Sequence, residues 1–303
     1  MNYDRRQDDA AIRRITWVGL WINVGLTVIK IAIGLAGGSL ALLADGFHSL
    51  SDMATDVAVI FGVHFGGKEP DRNHPYGHGR IETFSAAFVA LMLAAVGIVM
   101  IYKAGRDIAQ MHHPQGSACE MLSSAVLAAA ILSILVKETL YQWTRRVALK
   151  THSTALYANA WHHRSDALSS IAVLIGVIAV RMGYSYGDPL AAVAVALMII
   201  LVAGRIISDC FRELSERAVD RDTLEQIEKV IQSDDRVRQW HRLRTRSVGR
   251  EIFLDLHILV DPGLNIAEAH RIADALERNL HDQIPRPVNV IVHMEPDLPE
   301  LRK

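Results

Sequence analysis

The chain has 303 residues, 50% of them hydrophobic, with a formal net charge of -1 and a positive mean hydropathy. That balance excludes the strongly basic or acidic surface with which a protein gathers nucleic acid or polyanionic substrates. Charge is also unevenly spread: residues 211–303 hold 15 Lys or Arg and 18 Asp or Glu, so the front and the back of the chain are different materials.

Up to about residue 210 the chain reads as six apolar blocks, over 15–35, 40–65, 84–102, 121–136, 156–180 and 189–207. A helix needs about 20 mainly apolar residues to cross a bilayer, so six transmembrane helices are predicted. The fourth block is the shortest and stops at Lys137 and Glu138, which can snorkel or pair. A soluble helical core would need a polar face, and the runs 84–102 and 189–204 have none. "MNYDRRQDDAAIRR" leads directly into a full-length span, so the start reads as a retained first span and not as a signal peptide. Positive residues gather at the N-terminal tail (Arg5, Arg6, Arg13, Arg14), the loop after span two (Lys68, Arg72, Arg80) and the loop after span four (Arg145, Arg146, Lys150). The opposite loops hold Lys103, Arg106 and Arg181, so both termini are expected in the cytoplasm. Cys119 and Cys210 fall on opposite sides in this topology and cannot pair, which leaves His and carboxylates for any metal site.

The apolar pattern is broken by "LLADGFHSLSD" in span two. An Asp near the centre of a membrane helix costs roughly 2.5–3.5 kcal/mol, so something must offset it. Asp45, His48, Asp52 and Asp56 recur at helical spacing along one stripe, and Asn159, His162, Asp166 and Ser169 form a matching stripe in span five. The shared element is H-x-x-x-D. Residues at i and i+4 lie about 5–6 Å apart, so His48 with Asp52 and His162 with Asp166 can grip one ion from two sides. Two imidazole nitrogens and two carboxylate oxygens suit tetrahedral zinc. The competing reading is a pair of buried His–Asp hydrogen bonds that tie helices together. For Asp45 and Asp56 a helix-end cap or a water-filled vestibule serves as well as a metal. His163 and Arg164 read as interfacial, and His64 as packed at the cytoplasmic end of span two.

The loop "EPDRNHPYGHGRIE" carries Asp71, His74 and His78, with Pro75 and Gly77 bending the chain so that the three side chains can converge. Solvated loop histidines are the alternative.

The last third reads as a soluble domain: a helix over 222–233, strands over 237–247 and 250–260, an amphipathic helix over 266–283 and a strand over 288–295. The α-β-β-α-β order suggests a ferredoxin-like α+β fold. In "REIFLDLHILVD" the alternation sends Ile252, Leu254, Leu256 and Ile258 to one face and Asp255 and His257 to the other, and in "VNVIVHMEPD" it pairs His293 with Glu295. With His241 and His270 these form a His-rich set of metal-ligand chemistry: each alone reads more readily as a surface histidine, and strand parity favours the joint reading.

The six spans, the paired H-x-x-x-D, the D-x-x-H-x-x-x-H loop and the α-β-β-α-β tail together resemble the cation diffusion facilitator family, in its bacterial zinc and ferrous-iron branch, over nearly the whole chain. The resemblance implies a homodimeric divalent-metal/proton antiporter of the bacterial inner membrane, with a transport domain over 1–210 and a cytoplasmic metal-binding and dimerisation domain over 211–303. It implies a transport site at His48, Asp52, His162 and Asp166, a loop site at Asp71, His74 and His78, and a tail site at His241, His257, His270, His293 and Glu295, with Asp255 as an addition. His48 stands where some relatives have Asp in acid-rich sites that accompany manganese or cadmium tolerance, which favours Zn2+ as cargo and leaves Fe2+, Cd2+ and Co2+ as alternatives. Arg72 and Glu295 also depart from the pattern, where relatives carry an acid and a shorter Asp. The resemblance further implies an interlocking pair at Arg80 and Glu216. Imidazoles that titrate near neutrality can trade protons for metal without ATP. A membrane-anchored metal sensor is the alternative from another class; an intramembrane metalloprotease is disfavoured because no H-E-x-x-H occurs.

Overall fold

A computed structural model describes residues 5–37, 53, 55–109, 124–181, 187–300 and 302. Asp45, His48 and Asp52 lie outside the described residues. The chain divides into two compact units, Asp8–Cys210 and a second that includes Phe211–Lys303.

The first unit is helical: α1 (Arg5–Gly37), α2 (Thr55–Gly66), α3 (Arg80–Ala109), α4 (Ser124–Thr151), α5 (Thr154–Arg181) and α6 (Gly187–Leu214). Among the described residues three stretches are long and apolar enough to cross a membrane, Ala10–Ile29, Arg80–Arg106 and Val193–Leu214. Their outward sides carry Trp21, Phe88, Leu91, Ile98, Val99 and Leu201 exposed, a surface that suits lipid. The core they form with α5 includes small residues, Ala86, Ala90, Ala155, Ala158 and Ala203, which let helices approach closely. Gly62 marks one such approach, because a Cβ there would meet the Ser85 Cβ at 2.3 Å. The fourth helix departs from its apolar block: α4 runs on past Lys137 to Thr151, since both charged groups find partners on α5.

The α4–α5 connection sets the geometry that follows. His152 takes the left-handed backbone conformation (φ 52°), the Ser153 N–H donates back to the Ala148 carbonyl at 3.1 Å, and the Leu156 N–H donates to Ser153 Oγ at 3.2 Å. This closes α4 and caps α5 within three residues. The two helices then pack side by side, so residues equally far from the turn meet. Ser153 Oγ also donates to buried Glu82 on α3.

The second unit holds α7 (Arg221–Gln232), β1 (Gln239–Val248), β2 (Glu251–Val260), α8 (Ile266–Gln283) and β3 (Val288–Pro296). The three-stranded sheet has order β1-β2-β3, antiparallel between β1 and β2 and parallel between β2 and β3. Ile252, Leu254, Leu256 and Ile258 pack with Ile227 and Ile231 of α7 and Leu276 and Leu280 of α8. Strand parity therefore leaves His257 on the opposite face from the helices.

Asp220 caps α7, its carboxylate accepting from the Thr223 backbone N–H at 3.0 Å and the Thr223 hydroxyl at 2.7 Å. That backbone donor is the first cause that holds its pKa below the ordinary value of 3.8. A carboxylate depressed by folding stabilises fully above its unfolded value, and that contribution disappears as pH falls through the folded one. Asp220→Ala should cost about 1 kcal/mol at neutral pH. Asp220→Asn should keep most of the cap and flatten the loss below about pH 4. Hydrogen exchange of the α7 amides across pH, corrected for intrinsic rate, measures both.

Candidate metal centres

α5 carries polar residues on two adjoining faces and packs against both α3 and α4. On one face His162, which is buried, has its Nε2 3.9 Å from Asp166 Oδ2, and that nitrogen has no hydrogen-bond partner among the described residues. A zinc held at about 2.0–2.2 Å by both atoms in a tetrahedron would want them roughly 3.3 Å apart, a small adjustment from the observed spacing. Lys137 Nζ of α4 donates to the same Asp166 Oδ2 at 2.7 Å.

On the other face His163 is fully buried and not interfacial. Its Nε2 lies 3.3 Å from Asn159 Nδ2 and 4.0 Å from Asp56 Oδ1 of α2, while Asn23 Nδ2 of α1 donates to Asp56 Oδ2 at 2.5 Å. The reason is the 100° step of an α-helix, which aims consecutive histidines at different neighbours. Asp56 is thus neither an exposed cap nor a lone vestibule acid, but a carboxylate shared by three helices. Arg164 follows the outward side, over the Tyr141 ring at 4.4 Å and 3.9 Å from Glu138 Oε2. His64 stacks edge-on against Phe65. Asn23, Lys137 and His163 were not assigned to a polar cluster from sequence. For Lys137 a signal exists: it stands 15 residues before His152 and Asp166 stands 14 after it, so an antiparallel hairpin sets both roughly 21 Å from the turn.

The loop before α3 brings Asp71, His74 and His78 together, with one ligand atom of each within 4.8 Å of the others. Asp71 Oδ1 accepts from the backbone N–H of Asn73 (2.8 Å) and His74 (2.7 Å), and Oδ2 lies 3.5 Å from His78 Nε2. The His74 N–H is the first cause of a pKa held below the ordinary 3.8 for Asp71, so the carboxylate is ionised and ready to bind a cation. Gly77, at φ 80°, turns the chain so that the two imidazoles face with ring centroids 4.3 Å apart. Only Gly adopts that conformation without strain.

The tail cluster is written by strand register. His241 of β1 sits opposite His257 of β2, which sits opposite His293 of β3, giving a row of three imidazoles across the sheet. Neighbouring ring centroids are 5.1 and 4.5 Å apart. Glu295, two residues beyond His293 on the same face, binds the row: its Oε1 is 2.9 Å from His257 Nδ1 and 3.5 Å from His293 Nε2, and its Oε2 is 3.4 Å from His241 Nε2. The hydrogen bond from His257, and then the nearby imidazoles, hold the pKa of Glu295 below the ordinary 4.5. His241, His257 and Glu295 offer atoms within 4.8 Å of one another. His270 stands apart from them on α8, 64% exposed and 3.6 Å from Asp274, because its helix covers the other face of the sheet. Asp255, opposite Arg244, is exposed. Glu216 pairs with Arg246 of β1 at 3.0 Å.

Residues 16–215 match the model of the cation efflux transmembrane domain, and residues 219–297 match that of the cytoplasmic domain of cation efflux proteins. The chain is 32% identical to the magnetosome protein MamB of Magnetospira sp. (strain QH-2), over 93% of this chain and 94% of that protein. It is 31% identical to the manganese efflux system protein MneP of Bacillus subtilis (strain 168), over 94% and 96%. It is 33% identical to metal tolerance protein C1 of Arabidopsis thaliana, over 93% of this chain but 62% of that longer protein. The chain therefore belongs to the cation diffusion facilitator family, membrane transporters that move divalent metal cations.

Proposed function

We propose that this chain exports a divalent cation, Zn2+ in first place, from the cytoplasm in exchange for protons, binding it at His48, Asp52, His162 and Asp166. The observation that carries the reading is the buried His162 Nε2, which has no hydrogen-bond partner among the described residues and stands 3.9 Å from a carboxylate on the same helix. Leaving such a nitrogen unsatisfied is costly, and a metal ion ends the cost. His48 and Asp52 precede Asp56 in sequence by eight and four residues, and Asp56 lies against α5. The i, i+4 rule puts all three on one stripe.

Two imidazoles with two carboxylates favour a borderline cation, Zn2+ before Fe2+, Co2+ or Cd2+. Metal ligation needs unprotonated imidazole and ionised carboxylate, so metal arrival expels protons and protonation expels metal. Helix rocking that opens the site alternately to each side then turns an inward proton gradient into outward metal flux. The six helical segments are taken as six spans, with both termini in the cytoplasm of a bacterial cell and the chain paired as a homodimer through its tail. Family members are transporters and not enzymes. The auxiliary clusters, Asp71–His74–His78 and His241–His257–Glu295 with His293 beside it, each combine one carboxylate with imidazoles, a regulatory or dimer-stabilising metal site by composition. His270 would join the tail site only by way of a second copy.

Asp52→Ala and Asp166→Ala proteins in vesicles with an imposed pH gradient should carry zinc at background rate; either variant moving zinc at wild-type rate contradicts the assignment. In the same vesicles zinc should compete better than manganese, with cadmium and iron between them. Glu295→Gln should lower the zinc bound per chain at equilibrium while leaving the membrane site loaded, as read by metal analysis after gel filtration.

A further inference from the structure

Lys137 is an ammonium ion in the middle of the helical unit. It is 3% exposed, and its Nζ sits 2.7 Å from Asp166 Oδ2. The oxygen it holds is the same one that His162 Nε2 faces at 3.9 Å. One carboxylate oxygen thus has two claimants, the lysine and any cation bound between His162 and Asp166.

A zinc ion bound to that oxygen at about 2.0–2.2 Å would meet a positive charge already on the same atom. The lysine therefore opposes such an ion, because like charges at such range in an apolar setting repel strongly. Conversely, removing the lysine from an empty site would take away the 2.7 Å ion pair of a largely buried carboxylate, and breaking such a pair by removing one member is costly. A lysine has a four-carbon stem and a compact charge, so it can withdraw without disturbing the backbone. The α4–α5 hairpin fixes its reach, since its tight turn sets Lys137 and Asp166 at the same level.

We propose that Lys137 is a tethered cation that occupies Asp166 whenever metal is absent and yields the oxygen when metal binds, thereby setting how firmly the transported ion is held. The inference rests on the reading of His162 and Asp166 as metal ligands. A carrier must bind well enough to load and weakly enough to unload. A built-in competitor provides that without altering the ligands. Lys137 is on this account a positioning and affinity-setting residue that never touches the metal.

The test uses the full chain in nanodiscs, with the loop and tail clusters disabled by Asp71→Ala and Glu295→Gln, titrated calorimetrically with zinc at fixed pH. Lys137→Met should bind zinc about tenfold more tightly, and Lys137→Arg, which keeps the charge, should stay within about threefold of the parent. In vesicles Lys137→Met should show a lower half-saturating zinc concentration together with a lower maximal rate. In the otherwise unaltered protein, zinc should raise labelling of Lys137 by a membrane-permeant amine reagent, while other lysines are unaffected. Unchanged or weaker zinc affinity in Lys137→Met, or Lys137 labelling indifferent to zinc, overturns the proposal. Asp166→Ala separates the two levels: if it binds zinc as its parent does, the ligand assignment itself fails. If it loses binding while Lys137→Met changes nothing, only the role of Lys137 fails.

Discussion

A charge placed among apolar helices must be met by another group, and in this molecule that demand falls on α5 (Thr154–Arg181). Its two polar faces are each answered from a different helix, Asp166 by Lys137 of α4 and His163 by Asp56 of α2, with Asn23 of α1 bonded to that same carboxylate. These contacts do more than offset desolvation. Hydrogen bonds tie α1 to α2 (Asn23–Asp56) and α4 to α5 (Lys137–Asp166) where dispersion alone would permit sliding, and the 4.0 Å approach of His163 to Asp56 sets α2 against α5. Small residues permit the approach and polar pairs choose its register.

The charged unit answers a different demand by a different device. A half-buried sheet must send alternate residues to opposite faces, and here one face is spent on the helices while the other lines up His241, His257 and His293. Glu295 then supplies the anion that lets three basic rings stand together. The loop cluster reaches the same composition by turn chemistry: Asp71 accepts two backbone N–H groups, and Gly77 folds His78 back toward it. Three separate backbone geometries, a helix stripe, a strand row and a tight loop, thus converge on mixed imidazole and carboxylate sets.

Much of this was legible in the chain because the relevant periods are local. The four-residue spacing of His162 and Asp166 places both on one helix face, and the two-residue spacing of His293 and Glu295 places both on one strand face, whatever the surroundings. The α-β-β-α-β order follows from the same alternation, and the helix bounds of the tail agree with it to within a residue. What was not legible depends on which helix lies beside which. Asp56 finding Asn23 and His163 is a product of three-body packing that no single period encodes, and His163 read as interfacial for that reason. His270 illustrates the converse: its residue type fits a metal set, but a helix packed on the far side of a sheet does not bring it to the row. Lys137 lies between these cases, since hairpin symmetry about His152 foretells its partner once the turn is known.

In the proposed transport site the ligands are imidazole and carboxylate together, contributed by two helical stripes. Zinc K-edge X-ray absorption of the full chain in nanodiscs, with the loop and tail clusters disabled and one zinc bound, reads that shell directly. The account predicts four light ligands at about 2.0–2.2 Å with the outer-shell scattering of two imidazoles. A shell of oxygen alone, or six ligands with no imidazole signature, would contradict it.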